Sequence, residues 1–276
     1  MRSKTSAALT AATLLVAGVL SAAPARADDD GDAAPLAPSG RTDPNNPTAP
    51  LVQVQIQDWY NTRLSGIDGQ SNLVLIRPVL PFAAFGSIPS EIARPAIPII
   101  TTPDGRTALG DISGLDLFFV VDKPNLRIGI GPTVVLPTAT YRRAGQGLWQ
   151  AGPAAAVVYT GEKGLLLGLL VQNPISFAGP SDRGSASKLA VQPIIVKNLQ
   201  DGWFLRFDPV VSVDWTHQGA TTIPLNIGIG RVFKLGQQRI NAYIQPEWTV
   251  QRPRDAPQTP RFTLRFAVHL LYPKTG

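Results

Sequence analysis

The sequence predicts an all-β protein: a closed antiparallel transmembrane β-barrel of about 12 strands. Three observations support this fold class. Charged residues make up only 16% of the 276-residue chain, below the roughly 25% of typical soluble domains. Beyond residue 50, apolar and polar residues alternate with period two, as in strands that present their two faces to different environments. Most alternating segments run for about 11–15 residues, whereas soluble strands cluster near 5 or 6 and membrane-barrel strands need about 9–11.

Composition excludes several chemistries. The 25 Gly and 26 Pro argue against a helix-rich architecture. The chain has no Cys and only two His, His217 and His269, which excludes disulfide scaffolds, thiol nucleophiles and zinc sites built from Cys or paired His. The net charge of +6 is not gathered into Lys/Arg clusters with interleaved aromatic residues, so nucleic acid is not expected as a partner. No cofactor is expected either.

The first 50 residues lack the alternation. Arg2 and Lys4 precede the apolar run 7–20, and Ala25-Arg26-Ala27 matches a small-residue cleavage site, so a secretory signal peptide is predicted. The alternative is a membrane anchor, for which the apolar run is short. The following Asp-, Ala-, Pro- and Asn-rich stretch has no periodicity and predicts disorder. The predicted domains are a signal peptide over 1–27, a disordered periplasmic lead-in over 28–50 and an outer-membrane β-barrel over 51–272.

Twelve segments show the alternation. They are 51–58, 71–82, 91–101, 109–121, 125–137, 147–160, 164–177, 187–199, 202–215, 221–235, 238–251 and 259–272. In the last segment Phe262, Leu264 and Phe266 share one parity, and Thr263 and Arg265 share the other. Strict alternation of this kind assigns one parity to lipid and the other to the lumen.

Short and long connections alternate between these segments. Asp122-Lys123-Pro124 and Gly236-Gln237 are tight turns, whereas 138–146 and 178–186 are longer. Outer-membrane barrels have short periplasmic turns and longer outer loops, so both ends of an even-stranded barrel lie on the periplasmic side. The connection 83–90 is long for a periplasmic turn. We expect the loop 178–186 to be solvated, with an inward fold that constricts the mouth as the alternative.

The positions of the aromatic residues support the strand assignment, whereas the positions of the prolines argue against regular strands. Trp203 and Trp215 share a parity at opposite ends of one segment, which suits the two interfacial aromatic belts of a membrane barrel. Eight prolines fall inside proposed strands: Pro78, Pro98, Pro132, Pro153, Pro193, Pro209, Pro224 and Pro246. Each removes a hydrogen-bond donor from the ladder, so bulges or kinks are expected near them.

Five stretches together indicate a family. They are TTPDGRT at 101–107, GPTVVLPTAT at 131–140, QAGPA at 150–154, QNPISFAGPSDR at 172–183 and DGW at 201–203. The chain resembles, over residues 51–272, the outer-membrane β-barrel family named for the meta-cleavage (MetA) pathway of phenol degradation, whose members are often labelled transporter or neuromedin U. The resemblance implies a small outer-membrane barrel that admits hydrophobic or aromatic compounds. One departure is the four-residue tail after Tyr272, because many outer-membrane barrels end on an aromatic residue.

The alternation assigns ten ionisable side chains to the lining of the lumen. They are Arg77, Asp116, Arg127, Lys188, Arg206, Asp208, Asp214, Glu247, Arg265 and His269. An Arg or Lys that faces lipid costs about 2–4 kcal/mol at the midplane, so the lumen is the favoured side. The set fits a polar pore whose charges set selectivity, and it fits equally well a ladder of charges that fills a narrow barrel.

The predicted function is a passive pore or uptake channel for small solutes in the cell outer membrane. No residue is predicted to be catalytic or to bind metal, because the neighbouring strand offers no Ser to His269. The expected partners are outer-membrane lipid, lipopolysaccharide, the barrel-assembly machinery and a small-molecule solute; basic outer loops around Arg142 and Arg183 suit acidic lipopolysaccharide. The alternatives are a plugged structural or binding barrel without transport, and a secreted soluble β protein.

Overall fold

The protein is described here by a computed structural model that covers residues 42–253 and 258–272. The predicted signal peptide and residues 28–41 of the lead-in lie outside the described residues. The strands are β1 (Val52–Leu64), β2 (Ser71–Phe82), β3 (Glu91–Thr101), β4 (Thr107–Leu109), β5 (Ile112–Asp122), β6 (Leu126–Leu136), β7 (Trp149–Thr160), β8 (Leu165–Gln172), β9 (Ile175–Ala178), β10 (Lys188–Asn198), β11 (Trp203–Phe207), β12 (Val211–Asp214), β13 (Ala220–Asn226), β14 (Gly228–Leu235), β15 (Gln238–Gln251) and β16 (Pro260–Tyr272).

Five 3₁₀ helices of three residues each stand among the connections of the described chain. They are Arg142–Ala144, Glu162–Gly164, Ser181–Arg183, Gln200–Gly202 and Trp215–His217. No helix in the described ranges has the length and apolar character needed to cross a membrane.

The sixteen strands form one antiparallel sheet that closes into a barrel with twelve wall positions. The pairs β4 with β5, β8 with β9, β11 with β12 and β13 with β14 each make one interrupted wall strand. Closure is made by β1 and β16, whose register runs from Val52 opposite Tyr272 to Leu64 opposite Pro260. Since every wall strand has two neighbours, the wall has no open edge and most of its backbone polar groups pair within the sheet, as lipid requires. The predicted fold class is confirmed.

The outer surface of the wall is apolar and is bordered by aromatic residues. On β1, Gln53, Gln55 and Gln57 are buried inside the barrel, and Ile56 between them is exposed outside. Exposed aromatic residues include Trp149, Phe177, Trp215 and Trp248 toward the end with the long loops, and Phe82, Tyr159 and Tyr272 toward the end where the barrel begins and finishes. An apolar band between two aromatic girdles is the surface of an outer-membrane barrel, and the predicted location is thereby supported.

Two of the eight predicted in-strand prolines, Pro209 and Pro224, lie at irregularities in the ladder, whereas Pro78, Pro193 and Pro246 lie in continuous register. Pro132 lies directly opposite Pro153 on the neighbouring strand, so two missing donors fall at one place in the wall. Pro209 lies in the gap between β11 and β12, and the register of β13 shifts at Pro224. Where the ladder is open, a side chain takes part: Asn226 Oδ1 accepts from the backbone N–H of Asp208 at 3.0 Å.

Apolar side chains fill the periplasmic half of the barrel interior. The cluster comprises Val158, Leu166, Ile194, Val196, Phe204, Val232, Tyr243, Ala267 and Leu271. Phe204 and Tyr243 meet edge to face, with ring centroids 6.4 Å apart, on either side of Gly230. A Cβ at Gly230 would lie 2.4 Å from Phe204 Cζ. Glycine is required there because the two aromatic rings occupy the space of a side chain.

Three sequence predictions about the wall need correction or explanation. The first strand continues to Leu64, beyond the predicted end at residue 58. The long periplasmic connection 83–90 contains a small hairpin in which Phe85 and Ile88 exchange two backbone hydrogen bonds of 3.0 Å. Asp116 was assigned to the lumen, but it faces outward opposite Ala93, because Leu115 and Leu117 take the inward positions of β5.

Candidate channel lumen

A cavity of about 620 Å³ lies inside the barrel. Its lining comes from most of the wall strands, including Gln55 of β1, Arg94 of β3, Thr133 of β6 and His269 of β16. Two segments outside the wall also contribute: residues Pro44–Pro47 at the periplasmic end and residues Ala144–Gln146 of the connection between β6 and β7. The cavity is therefore a chamber narrowed at both ends by chain that folds into the barrel.

The N-terminal segment, residues 43–50, occupies the periplasmic end of the lumen. Asn45 Nδ2 donates to Asn198 Oδ1 at 2.8 Å, and Asn241 Nδ2 donates to Asn45 Oδ1 at 2.8 Å. Asn198 Nδ2 also donates to the carboxylate of Asp43, and Arg127 donates to the carbonyl oxygen of Thr48. Residues 43–50, which the sequence analysis places in the lead-in, are thus held by side chains of distant strands, and composition alone does not reveal these contacts.

The carboxyl group of Asp43 is desolvated in this position. Burial raises its pKa above the ordinary value, and hydrogen bonds from the Asn45 backbone and the Asn198 side chain oppose the rise. Its contacts with these two residues are thus with neutral groups rather than with a cation.

The outer end of the cavity is narrowed by the loop between β6 and β7. Ala144 and Leu148 of this loop are 3% exposed. The carboxylate of Asp111 fixes the loop, because it accepts from the backbone N–H of Ala139 at 3.1 Å and of Gly147 at 2.9 Å. The loop 178–186 is largely solvent-exposed, as expected, although its Arg183 donates to the carbonyl oxygen of Gly145 at 3.1 Å.

One group of lumen charges is joined by ion pairs. Arg265 Nη2 lies 3.2 Å from Glu247 Oε2, and its Nη1 lies 3.5 Å from Asp208 Oδ1. Arg206 forms an ion pair with Asp208, and Asn226 donates to Glu247 at 2.8 Å. The Arg265 guanidinium also lies 3.7 Å from the ring centre of Trp59. These contacts hold Arg265 in a single position on the lumen wall.

A second group of lumen charges has no such partners. Arg77 on β2 and Arg94 on β3 both line the cavity. The ion pairs and side-chain hydrogen bonds found within the described ranges include neither guanidinium. Arg94 Nε is shielded from solvent and lacks an acceptor. These two residues, hereafter the arginine pair, therefore contribute positive charge that the surrounding wall does not neutralise.

The cavity lining also includes apolar side chains on β5, β8 and β10, among polar ones such as Thr133 and Gln172. Leu115, Leu170 and Ile194 are among these apolar side chains and are buried, and the first two pack with Ala154 and Ala156 in one cluster. Leu115 lies opposite Arg94 in the register of β3 and β5. We call Leu115, Leu170 and Ile194 the apolar wall. Charged and apolar lining therefore lie next to each other where β3 pairs with β5.

The ten predicted lining residues fall into four groups. Six line the cavity: Arg77, Lys188, Arg206, Asp208, Arg265 and His269. Glu247 is buried behind Arg265, and Arg127 is inward at the periplasmic end, where its Nε pairs with Asp122 at 3.0 Å. Asp214 lies at the outer end of β12, where its carboxylate accepts from Thr216. Asp116 faces outward near the middle of β5, between the inward-facing Leu115 and Leu117.

Sequence reasoning missed Arg94 and the N-terminal segment. Arg94 shares its parity with Ile92 and Ala96, so its segment shows no polar face; the isolated charge in an apolar run was the available signal. His269 lines the cavity, where its Nε2 lies 3.5 Å from Gln57 Nε2 and its ring is edge-on to Tyr243. Across the described ranges, no group of three or more His, Cys, Asp or Glu side chains is arranged to hold a metal ion.

Comparison with known proteins supports the architecture. No protein-family model matches the chain, and the search of curated proteins finds no significant match. Among solved structures, the COG4313 outer membrane channel from Pseudomonas putida F1 is similar, with a TM-score of 0.60 at 12% identity over 89% of this chain and 100% of that chain. The KdgM porin is less similar, with a TM-score of 0.48 at 9% identity over 80% of this chain and 99% of that chain. At these identities the likeness concerns the fold alone.

Proposed function

We propose that the protein is a passive channel that admits small solutes through the outer membrane. The observation that carries the proposal is the chamber inside a closed barrel, lined by polar and charged groups and bounded by two inward segments. A channel needs favourable but replaceable contacts along its path. The Gln, Asn and Arg side chains of the lining supply such contacts.

The solute class is a further part of the proposal. The resemblance to the meta-pathway family implies hydrophobic or aromatic compounds, and the apolar wall supports solutes that have an apolar part.

Lipopolysaccharide and the barrel-assembly machinery are proposed as partners on general grounds only. At the outer face, Arg142 pairs with Asp182 at 2.7 Å, and this guanidinium holds the pKa of Asp182 below its usual range. Part of the basic outer face is therefore neutralised within the protein.

The second candidate is a plugged barrel with a structural or binding role. It is favoured by the apolar cluster in the periplasmic half and by the N-terminal segment docked against it. Under the channel proposal, that segment must leave its site for a solute to pass. Under the plugged-barrel proposal, it stays in place.

Conductance in planar lipid bilayers tests the two proposals. The mature chain should give small, discrete conductance steps, and a variant lacking residues 42–50 should give larger ones because the periplasmic end is widened. Asn45→Ala, which removes two of the hydrogen bonds of the segment, should lie between them. Asp68→Asn, in the exposed outer connection between β1 and β2, serves as the control and should behave as the unmodified chain. If all four proteins fold and none conducts, the channel proposal is wrong and the plugged barrel stands.

A further inference from the structure

The cavity has an excess of positive charge that its own acidic groups do not balance. Five basic side chains line it, Arg77, Arg94, Lys188, Arg206 and Arg265, against two acidic ones, Asp111 and Asp208. The carboxylate of Asp111 is taken by backbone N–H groups of the outer loop. That of Asp208 lies against both Arg206 and Arg265. Among the described residues, the arginine pair and the exposed Lys188 are therefore the basic lining groups without an acidic partner, and the arginine pair is the less exposed of the two.

An unpaired buried guanidinium is costly unless a ligand or solvent meets it. Burying a charge without a partner is strongly unfavourable, so native structures pair such groups. Arg94 is half-buried and lines the cavity, and its Nε is shielded from solvent without an acceptor among the described residues. The Nε atoms of Arg206 and Arg265 also lack acceptors, but the Nη groups of those two residues are ion-paired, whereas no described ion pair or side-chain hydrogen bond involves Arg94. The planar fork of a guanidinium matches a carboxylate through two parallel hydrogen bonds. The free donors of Arg94 and Arg77 thus favour an oxyanion in the chamber.

The apolar wall limits which oxyanion fits. Leu115 is the cross-strand neighbour of Arg94 where β3 pairs with β5, and Leu170 and Ile194 add apolar surface to the lining of the same cavity. A fully hydrated inorganic anion would bury none of this apolar surface, which would stay in contact with the water shell of the anion. A molecule with a carboxylate at one end and an apolar body at the other satisfies both the arginine pair and the apolar wall, because the body buries apolar area.

We propose that the chamber is a binding site for small organic carboxylates with an apolar body, with the carboxylate on the arginine pair and the body on the apolar wall. The proposal deepens the channel function and rests on it only for the route by which the solute arrives. Binding itself needs the chamber alone. The arginine pair should also make the open channel prefer anions, and salt should weaken that preference by screening.

Binding is measured first, without any need for conduction. Benzoate and the neutral isostere benzamide are titrated into the refolded mature chain by calorimetry, with inorganic phosphate as the anion that lacks an apolar body. We expect benzoate to bind at least about tenfold more tightly than benzamide, the difference that a charged hydrogen-bonded pair supplies. Benzoate should likewise bind more tightly than phosphate. Equal binding of benzoate and benzamide would overturn the proposal, and phosphate binding as tight as benzoate would overturn its apolar part.

Substitutions locate the site. Arg94→Gln and Arg77→Gln should each weaken benzoate binding by about tenfold, and Arg94→Lys should retain part of it as a point charge. Arg142→Gln, which removes an exposed charge at the outer face, is the matched control and should leave binding unchanged. Heat-modifiable electrophoretic mobility checks that each variant is folded. Unchanged binding in a folded Arg94→Gln variant would refute the assignment even if the isosteres had been distinguished.

The reversal potential in a salt gradient separates this inference from the channel proposal. A conducting wild type that prefers anions, with that preference reduced in Arg94→Gln and Arg77→Gln, supports both. A conducting protein that shows neither anion preference nor benzoate binding keeps the channel and rejects the binding site. A protein that binds benzoate through the arginine pair but never conducts keeps the binding site and rejects the channel.

Discussion

Replacing Arg265 with Met should destabilise the barrel by about 3–5 kcal/mol, the cost of breaking a buried ion pair from one side. The magnitude follows from the surroundings of the guanidinium. The side chains of Arg265 and Asp208 are 2% and 4% exposed, and that of Glu247 is 11% exposed. Without Arg265, Asp208 keeps Arg206, but Glu247 keeps only the neutral donor Asn226. The uncompensated Glu247 carboxylate is therefore the main source of the loss.

A double-mutant cycle tests that reasoning. The change Glu247→Gln in the Arg265→Met background should recover part of the stability, with a coupling energy in the upper part of the roughly 0.5–3 kcal/mol seen for contacting pairs. The matched control is the cycle for Arg142 and Asp182, whose side chains are each 60% exposed; there a coupling of about 0–1 kcal/mol is expected. Stability is measured by reversible urea unfolding in lipid vesicles, followed by tryptophan fluorescence. Equal coupling in the two cycles would show that the Arg265 pair lies in water, contrary to the described packing.

Three further predictions concern other parts of the molecule. Burial raises the pKa of Asp43, so docking of the N-terminal segment is favoured when this carboxyl is protonated and weakens as pH rises through the raised pKa. Conductance should therefore fall on acidification from about pH 7 to about pH 4, and Asp43→Asn should remove this pH dependence. Gly230→Val places a Cβ 2.4 Å from an aromatic carbon and should lower the free energy of unfolding in urea by about 1–3 kcal/mol or more. Gly114→Ala, whose Cβ has its nearest neighbour at 3.4 Å, should be tolerated, and similar losses of stability in the two variants would contradict the packing. Phe207→Arg puts a charge on the outer face and should lower the free energy of unfolding by about 2–4 kcal/mol near the midplane. Ser212→Arg on the lumen side should lower it little, and a larger loss for Ser212→Arg than for Phe207→Arg would show that the strand faces are misassigned.

Sequence periodicity predicts the barrel wall well because membrane strands are long and their two faces meet different solvents. β2, β3 and β15 begin and end at the predicted residues. The prediction succeeds on β1, where three Gln share the inward parity. It fails for Asp116 on β5, where apolar residues occupy both parities and the charge of Asp116 was the basis of its assignment. Part of this lumen is apolar, so polarity alone does not tell inside from outside there.

The residues that narrow the lumen could not be predicted in the same way. The N-terminal segment is held by Asn198 and Asn241, which lie more than 150 residues away in the chain. Its composition of Asp, Pro and Asn is that of a disordered linker, and only the tertiary partners change its state. The inward loop at Ala144 depends likewise on the carboxylate of Asp111. Contacts of this kind form only when the closed barrel brings distant residues together, and no local sequence pattern predicts them.

The energetics of the N-terminal segment differ from those of the wall that surrounds it. The wall is a closed ladder, and opening it would expose rows of backbone groups to lipid, at several kcal/mol for each unsatisfied group. The segment is attached by hydrogen bonds between Asn45, Asn198 and Asn241, each worth about 0.5–1.5 kcal/mol net, together with those at Asp43 and Thr48. Water can replace these bonds at the periplasmic end. The segment can therefore leave the lumen in a local opening while the barrel stays folded, because local and global unfolding have separate free energies.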